Sequence, residues 1–373
     1  YREAYSCLRK AQRIPGYKQE PILLNLVNQA VKNYPSRRAG LCNILTRQSF
    51  DGHSAPVNSV CFSPDGTKVL SAGSDKTLRL WEAKNGGLLK ILKGHTHAVN
   101  SACFSPDGSC ILSGSDDKTM IIWEAESGKK IKILHGKGWP VFFACFSPDG
   151  RYILSGSSDK KLRLWDKADG KELKVFAGHE NPLTALCFSP DGRFILSGSH
   201  GRRGDSIRLW ETASGRSFKI FDAKDVHSLC FSPDGKYFLS GGTDDVYLGK
   251  NGIIRLWETS SGRELQVFKG HSLRVTSVCF SPDGRYILSG SADRSLRLWE
   301  TASGRELRTL FIHNARINSV CFAPDGRYAL SGSANGAVSL LEFDWEWEFF
   351  DENTTTNLKI DGIIWRNNML SKD

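Results

Sequence analysis

The sequence predicts an all-β fold in which one unit of four antiparallel strands is repeated seven times. The tetrapeptide Ser-Pro-Asp-Gly begins at positions 63, 105, 147, 189, 232 and 281, and Ala-Pro-Asp-Gly begins at position 323. The copies therefore recur every 42 to 49 residues. A period of about 40 to 45 residues is typical of propeller blades with four strands each. We therefore expect a seven-bladed β-propeller of four-stranded antiparallel blades.

The first repeat shows how each unit supplies its four strands. Val57–Phe62 and Lys68–Ser71 are short strand-like runs on either side of the Pro-Asp-Gly turn, whose proline and glycine suit a type I turn. Thr77–Trp81 alternates in polarity as a third strand, and Leu88–Leu92 follows a glycine turn as a fourth. We name these strands a, b, c and d in chain order.

A Gly-His pair stands before four of the units, and a Trp lies in the third strand of six. These features resemble the WD-repeat family, and the resemblance covers residues 43 to 343. In that family a His between blades, a Ser of strand b, an Asp of the b–c turn and the strand-c Trp form a structural hydrogen-bonded tetrad. The resemblance implies this tetrad for three repeats: His53, Ser71, Asp75 and Trp81; His95, Ser113, Asp117 and Trp123; and His271, Ser289, Asp293 and Trp299.

Four repeats depart from the pattern. In the third, Lys137 stands where the His is expected, and the fifth has no His. We expect the incomplete blades to have looser loops or to be stabilised by other groups. The fourth repeat keeps His179, Ser197 and Trp210 with Asp205 displaced by an insertion, and the seventh has His313 and Ser331 but Asn335 and Leu341.

The seventh repeat lacks a fourth strand after Val338–Leu341, whereas an extra strand, Thr46–Phe50, precedes the first repeat. An unpaired edge would promote aggregation, so we expect the N-terminal strand to close the ring. The predicted propeller domain therefore covers residues 42–343.

The flanks differ from the repeats. Residues 1–41 are predicted as a short N-terminal helical extension, because Glu3–Arg13 and Ile22–Val31 have helical apolar spacing, and residues 344–373 form a C-terminal tail. Both flanks resemble those of WD-repeat regions in bacterial multidomain proteins that carry kinase or nucleotide-hydrolase domains. Because the chain begins at Tyr1 without an initiator methionine, we expect a processed protein or a piece of a longer one.

Charge and cysteine usage place the chain among intracellular proteins. The formal net charge is +10, which favours acidic partners. Seven cysteines each precede a Phe in the repeat, so they are expected to be structural free thiols in a reducing compartment. No apolar run is long enough to cross a membrane. We expect a cytoplasmic protein with a monomeric propeller and no membrane partner.

The sequence indicates binding rather than catalysis. The repeated His, Asp and Ser sets occur once per blade and are tied to the Trp, as expected of structural groups, and no nucleotide, hydrolase or zinc motif occurs. We predict no catalytic residue, no cofactor and no metal site. The d–a connections and b–c turns lie on one propeller face, which is our candidate surface for a protein or peptide partner.

Departures from the repeat mark the candidate contacts on that face. Blade three carries aromatic residues where other blades have small or polar ones, and blades four and five carry longer b–c turns. We assign the arginines of strand c to blade packing and solvation: Arg79, Arg163, Arg208, Arg255 and Arg297. The predicted partner-binding residues are Trp139, Phe142, Arg202, Arg203, Tyr247, Lys250, Arg274, Arg294 and Arg316.

Four alternatives stay open at this point. Trp139 could instead cover the space left by the missing tetrad His of blade three, and the longer turns could be neutral drift. The basic ring could bind nucleic acid or another polyanion. The propeller could also regulate a catalytic domain that precedes residue 1.

Overall fold

The computed structural model describes residues 36–200, 206–244, 248–351, 358–360 and 363–367. The predicted helical runs Glu3–Arg13 and Ile22–Val31 lie outside these residues, so the helical extension stays a prediction. Within the described part of the chain all regular structure is β-strand, and no helix there is long and apolar enough to cross a bilayer.

The first four blades are four-stranded antiparallel sheets whose strands follow chain order from the inner strand a to the outer strand d. Before them lies β1 (Ser36–Phe50). Blade one contains β2 (Val57–Phe62), β3 (Lys68–Gly73), β4 (Thr77–Glu82) and β5 (Leu88–Lys93). Blade two contains β6 (Val99–Phe104), β7 (Cys110–Ser115), β8 (Thr119–Glu124) and β9 (Lys130–His135). Blade three contains β10 (Val141–Phe146), β11 (Tyr152–Ser157), β12 (Leu162–Asp166) and β13 (Glu172–Phe176). Blade four contains β14 (Leu183–Phe188), β15 (Phe194–Ser199), β16 (Ile207–Glu211) and β17 (Ser217–Phe221).

The remaining three blades repeat this order and confirm the predicted seven-bladed fold. Blade five contains β18 (Asp225–Phe231), β19 (Tyr237–Thr243), β20 (Gly252–Glu258) and β21 (Glu264–Lys269). Blade six contains β22 (Val275–Phe280), β23 (Tyr286–Ser291), β24 (Leu296–Glu300) and β25 (Glu306–Leu310). Blade seven contains β26 (Ile317–Phe322), β27 (Tyr328–Ser333) and β28 (Val338–Asp351), and β1 pairs with β28.

A β-bulge interrupts the pairing of strands a and b in every blade. In blade one Val57 pairs with Gly73 and Ser59 with Ala72, so Asn58 has no partner in the ladder. A bulge redirects the side chain of the extra residue. The seven bulge residues are Asn58, Asn100, Phe142, Thr184, His227, Thr276 and Asn318.

Most bulge residues join their blade to the next one. The Asn58 amide donates to the Val99 carbonyl at 2.9 Å, and the Asn318 amide donates across the ring junction to the Val57 carbonyl at 2.8 Å. Asn100, Thr184 and Thr276 donate to the corresponding carbonyls of their neighbours. Phe142 has no donor for this bond, and His227 uses its ring nitrogen on Asp225 instead.

Apolar cores fill the spaces between neighbouring blades. One cluster combines Leu70, Leu78 and Leu80 of blade one with Val99 and Ile111 of blade two, all almost fully buried. Each blade therefore buries its faces against its two neighbours, as expected for stacked repeats that cannot bury them alone.

The closing strand binds blade seven through its edge. Arg47 of β1 forms an ion pair with Glu342 of β28, and Arg327 lies 2.7 Å from the same carboxylate. Burial opposes ionisation of Glu342, but the two arginines outweigh it and hold its pKa below the ordinary value. Phe50, at the end of β1, is fully buried and packs 5.7 Å from the Trp81 ring centroid.

The chain divides into two compact units, residues 46–342 and residues 1–45 with 343–373. The first unit is the propeller. In the second unit, Phe343 stacks on Trp345. Strand β30 (Ile363–Asn367) pairs in parallel with residues 347–351 and antiparallel with β29 (Leu358–Ile360). Strand β1 starts at Ser36, before the predicted domain boundary at residue 42, which stays a prediction.

We expect removal of residues 1–51 to destabilise the propeller, because blade seven then loses the edge strand that carries Arg47 and the buried Phe50. The melting temperature should fall by at least about 5 °C, and the truncated chain should aggregate. Removal of residues 1–38, which leaves most of β1, is the matched control and should change the melting temperature little. Equal melting temperatures for both truncations and the full chain would contradict the closing role of β1.

We also expect the seven cysteines that precede Phe to react slowly with thiol reagents in the folded protein. All seven are free: Cys61, Cys103, Cys145, Cys187, Cys230, Cys279 and Cys321. Burial raises the pKa of Cys103 to about 11 and that of Cys321 to about 12, so at pH 8 the reactive thiolate is scarcer by roughly two orders of magnitude or more. Peptide mass spectrometry after timed alkylation, with the guanidinium-unfolded chain as control, measures this. Rapid labelling of the native cysteines would refute it.

Candidate partner-binding face

In blades one, two, three, six and seven, a backbone hydrogen bond joins the b–c turn to the d–a connection that leads into strand a of the same blade. The Ser74 N–H donates to the Pro56 carbonyl at 2.8 Å, and the Ala334 N–H donates to the Arg316 carbonyl at 2.9 Å. These connections and turns form one surface, which we call the loop face. Its described residues are 51–56, 74–76, 94–98, 116–118, 136–140, 158–161, 177–182, 200, 206, 222–224, 244, 248–251, 270–274, 292–295, 311–316 and 334–337.

The predicted tetrads lie directly beneath the loop face in blades one, two and six. In blade one the His53 ring nitrogen Nδ1 donates to Asp75 and the Ser71 hydroxyl donates to Nε2, both at 2.8 Å. The Trp81 indole then donates to Ser71 at 2.9 Å. Burial lowers the pKa of His53 and His95, so the imidazoles stay neutral and keep this arrangement of protons. The same bonds recur around His95 and His271.

In the two blades without a tetrad His, the strand-c arginine takes its place. The buried Arg163 guanidinium bonds Asp159, donates to Ser157 at 3.1 Å and lies 3.3 Å from Glu172. Arg255 likewise bonds Asp244 of blade five. Each of these two arginines pairs with the turn carboxylate that a His would otherwise hold, so its role within the blade is more specific than packing and solvation.

Blades four and seven keep the histidine with other partners. His179 contacts Ser197 at 2.6 Å and Ser199 at 3.1 Å. Asp205, the displaced tetrad candidate, lies outside the described residues. His313 contacts Ser331 at 2.8 Å, and the buried Leu341 fills the position of the Trp. All four departing blades thus have an identified local arrangement.

The predicted aromatic contacts of blade three lie close together. Trp139 is on the loop face, and Phe142 is the half-buried bulge residue three positions later. Arg163 bonds Asp159, the carboxylate that the missing His would hold, and half of the Trp139 side chain is exposed, so both roles considered for Trp139 stay predictions.

The predicted basic contacts form a second group on blades five to seven. Lys250 is exposed and its backbone bridges to Leu273, while the N–H of the half-buried Arg274 donates to the Gly249 carbonyl at 2.9 Å. Arg294 and Arg316 are exposed in blades six and seven. None of the described contacts joins this group to Trp139 and Phe142. Arg202, Arg203 and Tyr247 lie outside the described residues.

Some residues of the loop face were missed by the sequence analysis. Leu248 and Phe311 are both exposed there, and Phe311 follows strand d of blade six at the position that Lys93 occupies in blade one. Lys76, Lys118 and Lys160 occupy the same b–c turn position as Arg294. The sequence could have revealed the exposed apolar residues and the turn lysines, because both stand out when each residue is compared with its equivalents in the other blades. His200, Asp225 and His227 also lie together, and no local motif connects them.

The fold and its tetrads define a WD-repeat β-propeller. The chain belongs to the WD40 family (WD domain, G-beta repeat), which matches residues 45–82, 86–124, 128–166, 170–211, 215–258, 262–300 and 304–340. Each match begins with strand d and ends with strand c, so a sequence repeat spans two adjacent blades. Propellers of this family generally serve as non-catalytic scaffolds that bind protein partners.

Curated relatives match over segments of about one repeat. The chain is 41% identical over 51 residues to "WD repeat-containing protein SL1-17" of Schistosoma mansoni, covering 13% of this chain and 17% of that protein. It is 51% identical over 39 residues to "Ribosome assembly protein 4" of Chaetomium thermophilum, covering 10% and 8%. It is 48% identical over 42 residues to "Small ribosomal subunit protein RACK1" of Candida albicans, covering 11% and 13%. The matched segments thus span less than a fifth of each relative.

These relatives are eukaryotic WD-repeat proteins, and the expected similarity of the flanks to bacterial multidomain proteins finds no support in them.

We expect Arg163→Ala to lower the free energy of unfolding by about 2 kcal/mol, because it leaves the Asp159 carboxylate without its buried cation. Arg79→Ala is the matched control, since Asp75 keeps His53 and lies 3.9 Å from Arg79, and it should cost less than about 1 kcal/mol. Urea unfolding followed by tryptophan fluorescence measures both. Equal losses in the two variants would show that Arg163 does not replace the histidine.

Proposed function

We propose that this propeller is a protein-binding scaffold whose loop face holds an acidic, partly apolar segment of its partner. The observation that carries the proposal is that exposed apolar side chains and exposed cations occur together on this one face. The arguments from charge and from apolar exposure are independent.

The turn cations give the loop face its charge. Lys76, Lys118, Lys160 and Arg294 occupy equivalent b–c turn positions, are all exposed and have φ between 67° and 71°. The carboxylates of the same turns point inward to buried partners, as Asp75 does to His53 and Asp159 to Arg163. The cations therefore face solvent, whereas the carboxylates of these turns are held beneath them by hydrogen bonds to histidine or, in blade three, by an ion pair with Arg163. A surface of this kind attracts carboxylates and raises the rate of association with an acidic partner.

Three large apolar side chains supply candidate contact points on the same face. Trp139 is 50% exposed, Leu248 67% and Phe311 72%. Apolar groups held open to water on a rigid scaffold are the kind that contribute most of the binding energy in protein interfaces. Leu248 offers no stacking surface to a nucleic-acid base, so the set favours a protein segment over the polyanion alternative.

The printed names of two relatives refer to the ribosome or its assembly. Because each match spans about one repeat, it supports the fold and does not transfer those associations to this chain. The alternative that the propeller regulates a catalytic domain preceding residue 1 would use the same kind of surface. A monomeric state and a cytoplasmic location stay predictions.

We expect the double variant Trp139→Ala with Phe311→Ala to bind its partners at least about tenfold more weakly, because it removes both aromatic contacts from the loop face. The melting temperature should change little, since both side chains are solvent-exposed. Quantitative pull-downs from the source cell, with the captured proteins then titrated individually, measure the loss.

Phe218→Ala is the matched control. Phe218 is 60% exposed but lies near the start of β17, at the opposite end of its strand from the loop face. Partner binding should be unchanged in this variant. Undiminished binding by the double variant would contradict the proposed face, and loss of the captured material on nuclease treatment would favour the nucleic-acid alternative instead.

A further inference from the structure

Three departures from the repeat meet at the junction of blades four and five. His200 follows β15 in blade four, where blades one and three have Ser74 and Ser158. Asp225 begins β18, where blades one and three have Pro56 and Pro140, and His227 is the bulge residue two positions later. None of these three side chains belongs to a tetrad, because the tetrad residues occupy other positions of the repeat.

The three side chains converge on one point. His200 Nδ1 lies 2.6 Å from Asp225 Oδ1, and His227 Nε2 lies 3.1 Å from Asp225 Oδ2. All three ligand atoms lie within 4.8 Å of one another, and the two imidazole rings are 5.0 Å apart at 73°. Asp225 and His227 are held by the β18–β19 ladder, and an isolated bridge joins the His200 and Asp225 backbones. The donors are therefore carried by the strand framework.

Burial differs across the cluster in a way that suits a bound ion. The side chain of His200 is 50% exposed, whereas that of Asp225 is 11% exposed and that of His227 is 16% exposed. An ion could thus enter from the loop face past His200 while its carboxylate ligand lies in a region of low dielectric. Burial alone would raise the pKa of Asp225, but hydrogen bonds from the two histidines outweigh it and keep the carboxylate ionised.

From this geometry we propose that His200, Asp225 and His227 form a binding site for a divalent transition metal ion, with Zn²⁺ as the fitting case. Two imidazole nitrogens and one carboxylate are a ligand set that zinc takes in proteins, at about 2.0 to 2.2 Å from each donor. Tetrahedral donors at that range are about 3.4 Å apart, so small side-chain rotations bring the observed separations to this value. Three protein ligands leave one coordination position open on the loop face for water or for a partner side chain.

The competing explanation is a purely structural network in which both histidines share protons with Asp225. The two explanations make opposite predictions about metal ions. A structural network gains nothing from Zn²⁺, whereas a metal site binds one ion per chain and becomes more resistant to unfolding in its presence.

The test uses the untagged full chain, stripped of metal with a chelator and desalted. We expect competition with a chromophoric chelator to show Zn²⁺ binding that weakens at least about a hundredfold in His227→Asn and Asp225→Asn, because each removes one ligand. Three other blades have Asn at the position of His227. We therefore expect the His227→Asn variant to fold normally. His97→Ser, an exposed histidine elsewhere on the loop face, is the control and should bind as the unaltered chain does.

Two further readouts separate this site from other ligands. Co²⁺ should give the visible spectrum of tetrahedral nitrogen and oxygen coordination without a thiolate charge-transfer band, and Zn²⁺ should raise the melting temperature of the unaltered chain but not of His227→Asn. The proposal would be overturned if the unaltered chain bound no Zn²⁺, or if both ligand variants bound Zn²⁺ with the affinity of the unaltered chain. It would also be overturned if Co²⁺ gave a thiolate charge-transfer band in the unaltered chain and in both variants.

Discussion

A buried hydrogen bond between the strand-c indole and the strand-b serine recurs in six blades, and the organisation of the loop face depends on it. The donor–acceptor distances lie between 2.7 and 2.9 Å for Trp81, Trp123, Trp165, Trp210, Trp257 and Trp299. Each serine hydroxyl accepts the indole hydrogen bond from the core side. Its own O–H is therefore free to donate a hydrogen bond toward the loops. A buried hydroxyl without a hydrogen-bond partner would lower the stability of the fold by about 1 to 3 kcal/mol. This cost explains why the histidine, in the blades that have one, bonds the serine from the loop side.

What stands above that serine decides how each turn is held. In three blades a histidine links the serine to an aspartate, and in blades three and five an arginine holds the turn carboxylate directly. In blades one, two, three and six the acid of the turn is used internally, while the basic residue next to it in the turn is exposed. The outward position of these turn cations therefore follows from the same interactions that stabilise the blades.

Much of the fold was predictable because its signals are local. The Pro-Asp-Gly turn and the strand-c Trp recur in the sequence, and each reports a turn or strand within a few residues of itself. The role of Arg163 was not predictable in this way, since Arg79 occupies the same strand position and merely lies near an aspartate that a histidine already holds. Only the combination of a missing histidine and a neighbouring arginine distinguishes the two.

The cluster of His200, Asp225 and His227 shows a second limit. His200 and Asp225 are 25 residues apart and belong to different blades, so their approach depends on how blades pack and on a bulge that redirects His227. A spacing rule for metal ligands does not detect such a set. Comparison of equivalent positions does detect it, because all three residues depart from their counterparts in the other blades.

The central claim is that this propeller binds a protein partner on its loop face. Hydrogen–deuterium exchange of the chain with and without a captured partner tests it most directly. On partner binding, we expect protection from exchange to be concentrated in the d–a connections 136–140, 270–274 and 311–316 and in the neighbouring b–c turns. Protection confined to the c–d turns at the opposite end of the strands, such as 83–87 and 125–129, would contradict it.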